Sequence, residues 1–265
     1  MFNKLKTLIS RPDVSPVDPV SDPTLAPDRP FFAIGDVHGC ADRLDEVLRQ
    51  IDAERARPDM QDAAVVFMGD LVDRGPDSAK VLRQVRAMQQ AAPDDVLCLT
   101  GNHEVMMLDF IDDPLGRGLR WLTFGGQETL SSFGIKPTSG KADAEDIMEV
   151  ADQLEELLDQ GQDTGLVGWI RDQPFLWKTG NIACVHAGLD PDLPLGEQRE
   201  KTFAWGHRDF RHRMRDDGLW VVHGHTITRQ PACEQGRIAV DTGAYKGGRL
   251  TAAAISTGAC RFLQG

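Results

Sequence analysis

The chain has 265 residues, a formal net charge of −12, and ordinary hydrophobic and charged fractions of 41% and 26%. That length suits one large domain or two small ones, with room for a sizeable core. The diffuse negative charge argues against nonspecific binding to nucleic acid or anionic membrane, so a phosphate ligand would have to be drawn in locally.

The start, MFNKLKTLIS, is slightly basic but lacks an apolar stretch of signal-peptide length. No apolar run approaches the roughly 18 to 20 residues of a membrane span. These features point to a cytoplasmic protein that does not enter a membrane. Residues 1–29, rich in proline and aspartate from position 11, read as an irregular leader. Residues 30–265 read as one catalytic domain. The cysteines, Cys40, Cys98, Cys184, Cys233 and Cys260, are scattered and form no CxxC pair, which argues against a disulfide framework or a zinc ribbon. Cys184 and His186 should share a strand face, with packing the preferred role for the thiol.

The short apolar runs FFAI, AVVFM and VLCLT read as buried strands, each followed by a glycine-containing loop. Between them, Leu44, Val47, Leu48 and Ile51 predict one helix, stopped by Pro58. Val81, Leu82, Val85 and Met88 predict a second, capped at Asp77 or Ser78 and ended by Pro93. The order is a βαβαβ unit, whose loops leave one end of a parallel sheet. Residues 109–178 change character. WLTFGGQETLSSFG is small and polar, AEDIMEVADQLEELLDQ is an amphipathic helix with Ile147, Val150, Leu154 and Leu157 on its stripe, and GLVGWIRDQP is a further short helix. This segment reads as a mainly helical insert over the rim, serving either substrate selection or a structural cap. The final third, IACVHAG, LWVVHGHT, RIAVDTGA and LTAAAIS, predicts a second sheet facing the first, a β-sandwich with helices outside.

The strand ends carry five motifs in order: GDVHG, GDLVDRG, GNHE, VHAG and HGHT. Asp36 and His38, two residues apart, can reach one metal ion. Asp70 has two carboxylate oxygens and can bridge a pair of ions. Asn102 offers a neutral amide oxygen to the second, which His186 and His225 would complete. This mixed oxygen and nitrogen set suits manganese, iron or zinc better than calcium. Arg74 presents a planar fork of donors for phosphate oxygens. His103 is the candidate general acid, held as imidazolium by Asp73. Glu104 is expected to support ligands rather than bind metal, and His223 to pack or support. Arg208, in the basic stretch WGHRDFRHRMR, is a candidate second phosphate clamp.

These motifs resemble the phosphoprotein phosphatase branch of the calcineurin-like metallophosphoesterases, from Asp36 to His225 without a break. Within it, HGHT, VDTGA and the WLTFGGQETLSSFG stretch are similar to bacterial and phage, lambda-type, Ser/Thr protein phosphatases. The SAPNYC-type loop of the eukaryotic enzymes is missing, so their regulatory docking is not expected. The resemblance implies an α/β fold of the αββα sandwich type and a dinuclear site. One ion would take Asp36, His38 and Asp70; the other would take Asp70, Asn102, His186 and His225. It implies that Arg74 and Asn102 meet the substrate phosphate and that Asp73 with His103 forms the acid pair. Manganese is the expected metal, with iron, zinc or nickel as alternatives.

The expected activity is therefore hydrolysis of phosphomonoesters by direct attack of a metal-bridging hydroxide, on a phosphorylated protein or a small phosphate ester. An alternative is a symmetrical bis(5′-nucleosyl)-tetraphosphatase, acting on dinucleoside polyphosphates or such caps on RNA. A reading of another class is a noncatalytic module that binds a phosphorylated ligand.

Overall fold

The computed structural model describes residues 22–138 and 142–265. The expected leader therefore lies mostly outside the described residues. Its last part does not behave as a leader. Leu25 is buried, Trp220 donates its indole N–H to the Pro23 carbonyl at 2.7 Å, and the Asp22 carboxylate accepts the backbone N–H groups of Gln235 and Gly236.

Three strands, β1 (Phe31–Ile34), β2 (Ala64–Phe67) and β3 (Val96–Cys98), pair in parallel, with α1 (Ala41–Glu54) and α2 (Ser78–Ala91) as the connections. The βαβαβ reading holds, and α3 (Asn102–Asp112) starts directly on the GNHE motif. The side chains alternate as a period of two requires. Phe32, Ile34, Val65 and Phe67 face the helices, while Phe31, Ala33, Ala64 and Val66 face the second sheet.

The insert contributes α4 (Gly126–Ser132), α5 (Ala144–Leu158) and α6 (Leu166–Arg171), after a 3₁₀ turn at Leu119–Thr123. It is part of the helical layer rather than a flap above it, because Trp121, Leu130, Ala151, Leu154, Leu158 and Ile170 join the core beneath the first sheet. On α5 the buried stripe runs Ala151, Leu154, Leu158, and Leu157 faces outward at 37% exposure. Position 158 lies seven residues, nearly two full turns, beyond 151 and so at the centre of the stripe, which leaves 157 at its edge.

The second sheet holds β4 (Leu176–Thr179), β5 (Ile182–Val185), β6 (Trp220–His223), β7 (Ala232–Glu234) and β8 (Arg237–Ala239), in the order β4-β5-β6-β8-β7. Its outer face is covered thinly, by α7 (Glu200–Trp205) and a small cluster around Phe203 and Phe210. The expectation that LTAAAIS would join this sheet is corrected. β9 (Thr251–Ser256) pairs antiparallel with β1 and with β10 (Ala259–Gln264), so the first sheet runs β10-β9-β1-β2-β3. β9 lies between two strands and is buried on both faces, where its alanines fit beside the larger residues of β1. The architecture is a four-layer αββα sandwich, as expected.

Cys184 sits in the core between the sheets, so its role is packing. Cys233 and Cys260, far apart in sequence, meet thiol to thiol where β7 and β10 edge the two sheets. Among the described residues no helix is long and apolar enough to cross a membrane.

Candidate metal centre

Every motif loop leaves the carboxyl end of a strand: Asp36 and His38 follow β1, Asp70 to Arg74 follow β2, and Asn102 and His103 open α3 after β3. His186 follows β5 and His225 follows β6. The loops are wound tightly. Five of the six non-glycine residues with positive φ among the described residues lie here: His38 (45°), Asp70 (52°), Asp73 (75°), Arg74 (70°) and His225 (60°). Such conformations cost of order 1 to 3 kcal/mol each and persist only where surroundings enforce them. Glu104 is one enforcer. Its buried carboxylate accepts the backbone N–H groups of Asp70, Leu71, Val72 and Gly101 at 2.7–3.3 Å, tying the second and third loops together. Gly224 is another adaptation, because a Cβ there would lie 2.0 Å from Asp36 Oδ1.

The expected ligands converge on Asp70. Its Oδ2 lies 3.5 Å from His38 Nε2 and 3.3 Å from His186 Nε2. Asn102 Oδ1 lies 3.0 Å from His186 Nε2 and 2.8 Å from His225 Nδ1. Two sets of ligand atoms, His38/Asp70/His103 and Asp70/His186/His225, each fall within 4.8 Å of one another and share Asp70. Both Asp36 oxygens accept the His225 backbone N–H at 3.0–3.1 Å, so this carboxylate links the two sheets.

The donor chemistry fits divalent metal ions. His38 Nδ1 is 2.8 Å from the Val72 carbonyl and His186 Nδ1 is 2.9 Å from the Met68 carbonyl. A carbonyl can only accept, so each Nδ1 carries the proton in the neutral ring and each Nε2 points a lone pair into the cluster. Burial lowers His38 to a pKa of about 3, and burial with His186 lowers His225 to about 4, so both stay neutral and ready to ligate. Burial alone would raise Asp70, but His186, His103 and His38 overcome it and hold the carboxyl well below its usual range. His186 is the exception. Burial opposes its charge, yet Asp70 and Asp36 raise it to about 10, so a cation binding here would displace a proton.

His103 and Asp73 form the expected pair, with Nδ1 2.6 Å from Oδ2. The Trp121 indole N–H donates to Asp73 at 2.8 Å and the Thr129 hydroxyl at 2.7 Å, so both carboxylate oxygens are occupied. Burial resists a charged His103, but Asp70 and Asp73 prevail and raise its pKa. Its Nε2 is buried without a hydrogen-bond partner, 4.0 Å from Asp70 Oδ2. That atom falls in the His38/Asp70/His103 group of possible ligand atoms.

Arg74 Nη1 lies 2.9 Å from His38 Nε2, and its guanidinium sits 4.7 Å over the Tyr245 ring. Arg208 does not join it. Its side chain is 88% exposed and pairs with Asp209 at 3.5 Å. His223 is buried, edge-on to Phe210 at 5.0 Å, and lowered to about 4 by burial, so it packs. Sequence reasoning did not single out Trp121, Thr129 or Tyr245. Only a buried carboxylate in need of donors explains the first two, and only the fold puts an aromatic beside Arg74.

The family model described as calcineurin-like phosphoesterase matches residues 29–229. A symmetrical bis(5′-nucleosyl)-tetraphosphatase of Janthinobacterium sp. (strain Marseille) is 34% identical over 160 residues, 60% of this chain. The match spans 44% of that relative, less than half its length. An asymmetrical bis(5′-nucleosyl)-tetraphosphatase, PrpE, of Halalkalibacterium halodurans is 28% identical over 245 residues, covering 84% of this chain and 88% of the relative. Among solved structures, a candidate diadenosine tetraphosphatase aligns with a TM-score of 0.59 at 20% identity, over 90% of this chain and 94% of that one. A cold-active protein-tyrosine phosphatase of a Shewanella species aligns at 0.57 and 19% identity, over 91% and 83%. These two structures speak to the fold alone. The family match covers α1 to α7 and strands of both sheets, together with every loop that converges on Asp70, and so the chain belongs to the calcineurin-like phosphoesterases and is a metal-dependent phosphoesterase.

Proposed function

We propose that this chain hydrolyses dinucleoside tetraphosphates. The observation that carries the substrate class is the correspondence, over 84% of this chain and 88% of its relative, with a bis(5′-nucleosyl)-tetraphosphatase. The symmetrical relative supports the same class. This moves the reading from phosphoprotein to dinucleotide.

In this proposal Asp36, His38 and Asp70 would hold one divalent ion, and Asp70, Asn102, His186 and His225 a second, with manganese first among manganese, iron, zinc and nickel. When bound, such ions lower the pKa of water and neutralise charge on phosphoryl oxygens. Arg74 donates its planar fork to the phosphoryl oxygens, and the Asn102 amide helps to orient them. His103 Nε2 gives its proton to the departing oxygen, and Asp73, fixed by Trp121 and Thr129, keeps the imidazolium in position.

One observation favours a second reading. The acid pair is complete and buried, and an alkoxide needs a proton donor more than a nucleotide phosphate does. Hydrolysis of phosphoserine in proteins therefore remains the second activity to measure. The test is turnover of diadenosine tetraphosphate by metal-stripped protein refilled with manganese, against Asp70→Asn as background. Release of nucleotides well above that background is expected. Silence toward both the dinucleotide and a phosphoserine peptide, with either one still bound, would indicate a noncatalytic module.

A further inference from the structure

A recess of about 390 Å³ opens beside Arg74, lined also by Thr123, Phe124, Gly125, Glu128 and Tyr245. Its size lies within the range of small-molecule sites, about 300 to 1,000 Å³. It adjoins the metal centre directly. The Tyr245 ring meets the His38 ring edge-on at 4.9 Å, and the Arg74 guanidinium lies over the same tyrosine. Phe124 projects at 51% exposure, unusual for a phenylalanine on a segment fixed at both sides. Trp121, three residues before it, is fully buried and bonded to Asp73, and Gly125, next to it, accepts the Arg74 backbone N–H at 3.2 Å. An aromatic face is thus held rigidly in water next to a phosphate-binding arginine. Glu128, exposed on the same wall, offers acceptor oxygens.

Aromatic planes and an arginine beside a phosphate site match a nucleoside, whose base stacks and whose ribose hydroxyls donate. A second recess, about 490 Å³, is lined by Val105, Arg120, Phe175, Glu200, Lys201 and Trp205. None of these belongs to the ligand cluster, and Arg120 is already drawn to Asp109 at 3.7 Å and over Trp205. We infer that the Arg74 recess receives one nucleoside of the substrate, its base against Phe124 and its ribose toward Glu128, with Arg74 and Tyr245 between the nucleoside and the metal centre. Phe124 then sets specificity for nucleotides over other phosphate esters. The inference rests on the dinucleotide reading.

The test pairs kinetics with a signal from the recess itself. Phe124→Ala should raise KM for diadenosine tetraphosphate about tenfold, the weight of one base–aromatic stack, and several times more than it raises KM for phosphoserine. Phe124→Trp should restore the dinucleotide KM. The chain has a single tyrosine, so ¹³C-tyrosine labelling of zinc-loaded protein gives one signal set from Tyr245. ADP should shift it further than inorganic pyrophosphate does. Equal KM changes on both substrates, or equal shifts from ADP and pyrophosphate, overturn the recess while dinucleotide turnover stands. No dinucleotide turnover by the unaltered protein overturns the recess together with the reading beneath it.

Discussion

Replacing Glu104 by glutamine tests whether the metal loops are held by one carboxylate. Oε1 accepts from Leu71 N and Val72 N, and Oε2 from Asp70 N and Gly101 N. A glutamine keeps one oxygen and turns an NH₂ toward two backbone donors, so two of the four bonds are lost. Hydrogen bonds to a charged group contribute about 1.5 to 3 kcal/mol each, which gives a gross loss of about 3 to 6 kcal/mol. Part returns, because the charge is buried: burial and then Asp70 raise the Glu104 carboxyl above its usual pKa, a cost that the neutral amide avoids. A net loss of about 3 kcal/mol is expected, and for a chain of this size that lowers Tm by about 6 to 12 °C. Asp70 rides on the loosened loop, so manganese affinity should fall about 10- to 100-fold, as when other supports of metal ligands are removed. Calorimetry of chelator-treated protein and manganese titration read the two effects separately. A Tm within 2 °C of the unaltered protein, with unchanged manganese affinity, would refute the claim that Glu104 organises these loops.

Trp121→Phe keeps the buried ring but removes the N–H donated to Asp73, so turnover of a phosphoserine peptide should drop about tenfold while p-nitrophenyl phosphate loses far less; equal losses would mean that Trp121 only packs. His103 is raised by Asp70 and Asp73 against the effect of burial, so its imidazolium is present at lower pH and lost as pH rises through the folded-state pKa. The kcat/KM for an alkyl phosphate should therefore fall on the alkaline side, and that limb should vanish in His103→Ala. Gly125 has φ +115°, and a Cβ there would lie 2.7 Å from Arg74 N and Cγ, so Gly125→Ala should displace Arg74 and raise KM for every phosphate substrate. An unchanged KM in that variant would show that the 119–125 segment does not position the arginine.

The strands and the first two helices were legible because each depends on local pattern: buried runs ended by glycine, and apolar residues at helical spacing. The convergence of the candidate ligands was legible for a related reason. Asp36, Asp70, Asn102, His186 and His225 sit where strands end, so a strand reading places them at one rim before any contact is known. What failed depended on distant pairing. Nothing within LTAAAIS says which sheet it will join, since an alanine strand fits either core. Arg208 lies in a basic segment with no local signature of which way its side chain will turn, and it ends exposed beside Asp209. The grip of Trp121 and Thr129 on Asp73 joins the insert to the GDLVDRG loop, and a carboxylate's need for donors does not name the donors. The insert itself proved divided: 121–129 touches Asp73 and Arg74, whereas α5 and α6 add packing to the helical core.

The central claim, a metal-dependent phosphoesterase that prefers dinucleoside tetraphosphates, is tested most directly by competition. Manganese-refilled protein would be given diadenosine tetraphosphate and a phosphoserine peptide in one mixture, with nucleotides and free phosphate separated by ion exchange over time. The account predicts that the dinucleotide disappears first, as two ADP or as ATP with AMP, and that Asp70→Asn abolishes its loss. Phosphate released from the peptide while the dinucleotide remains intact would contradict it.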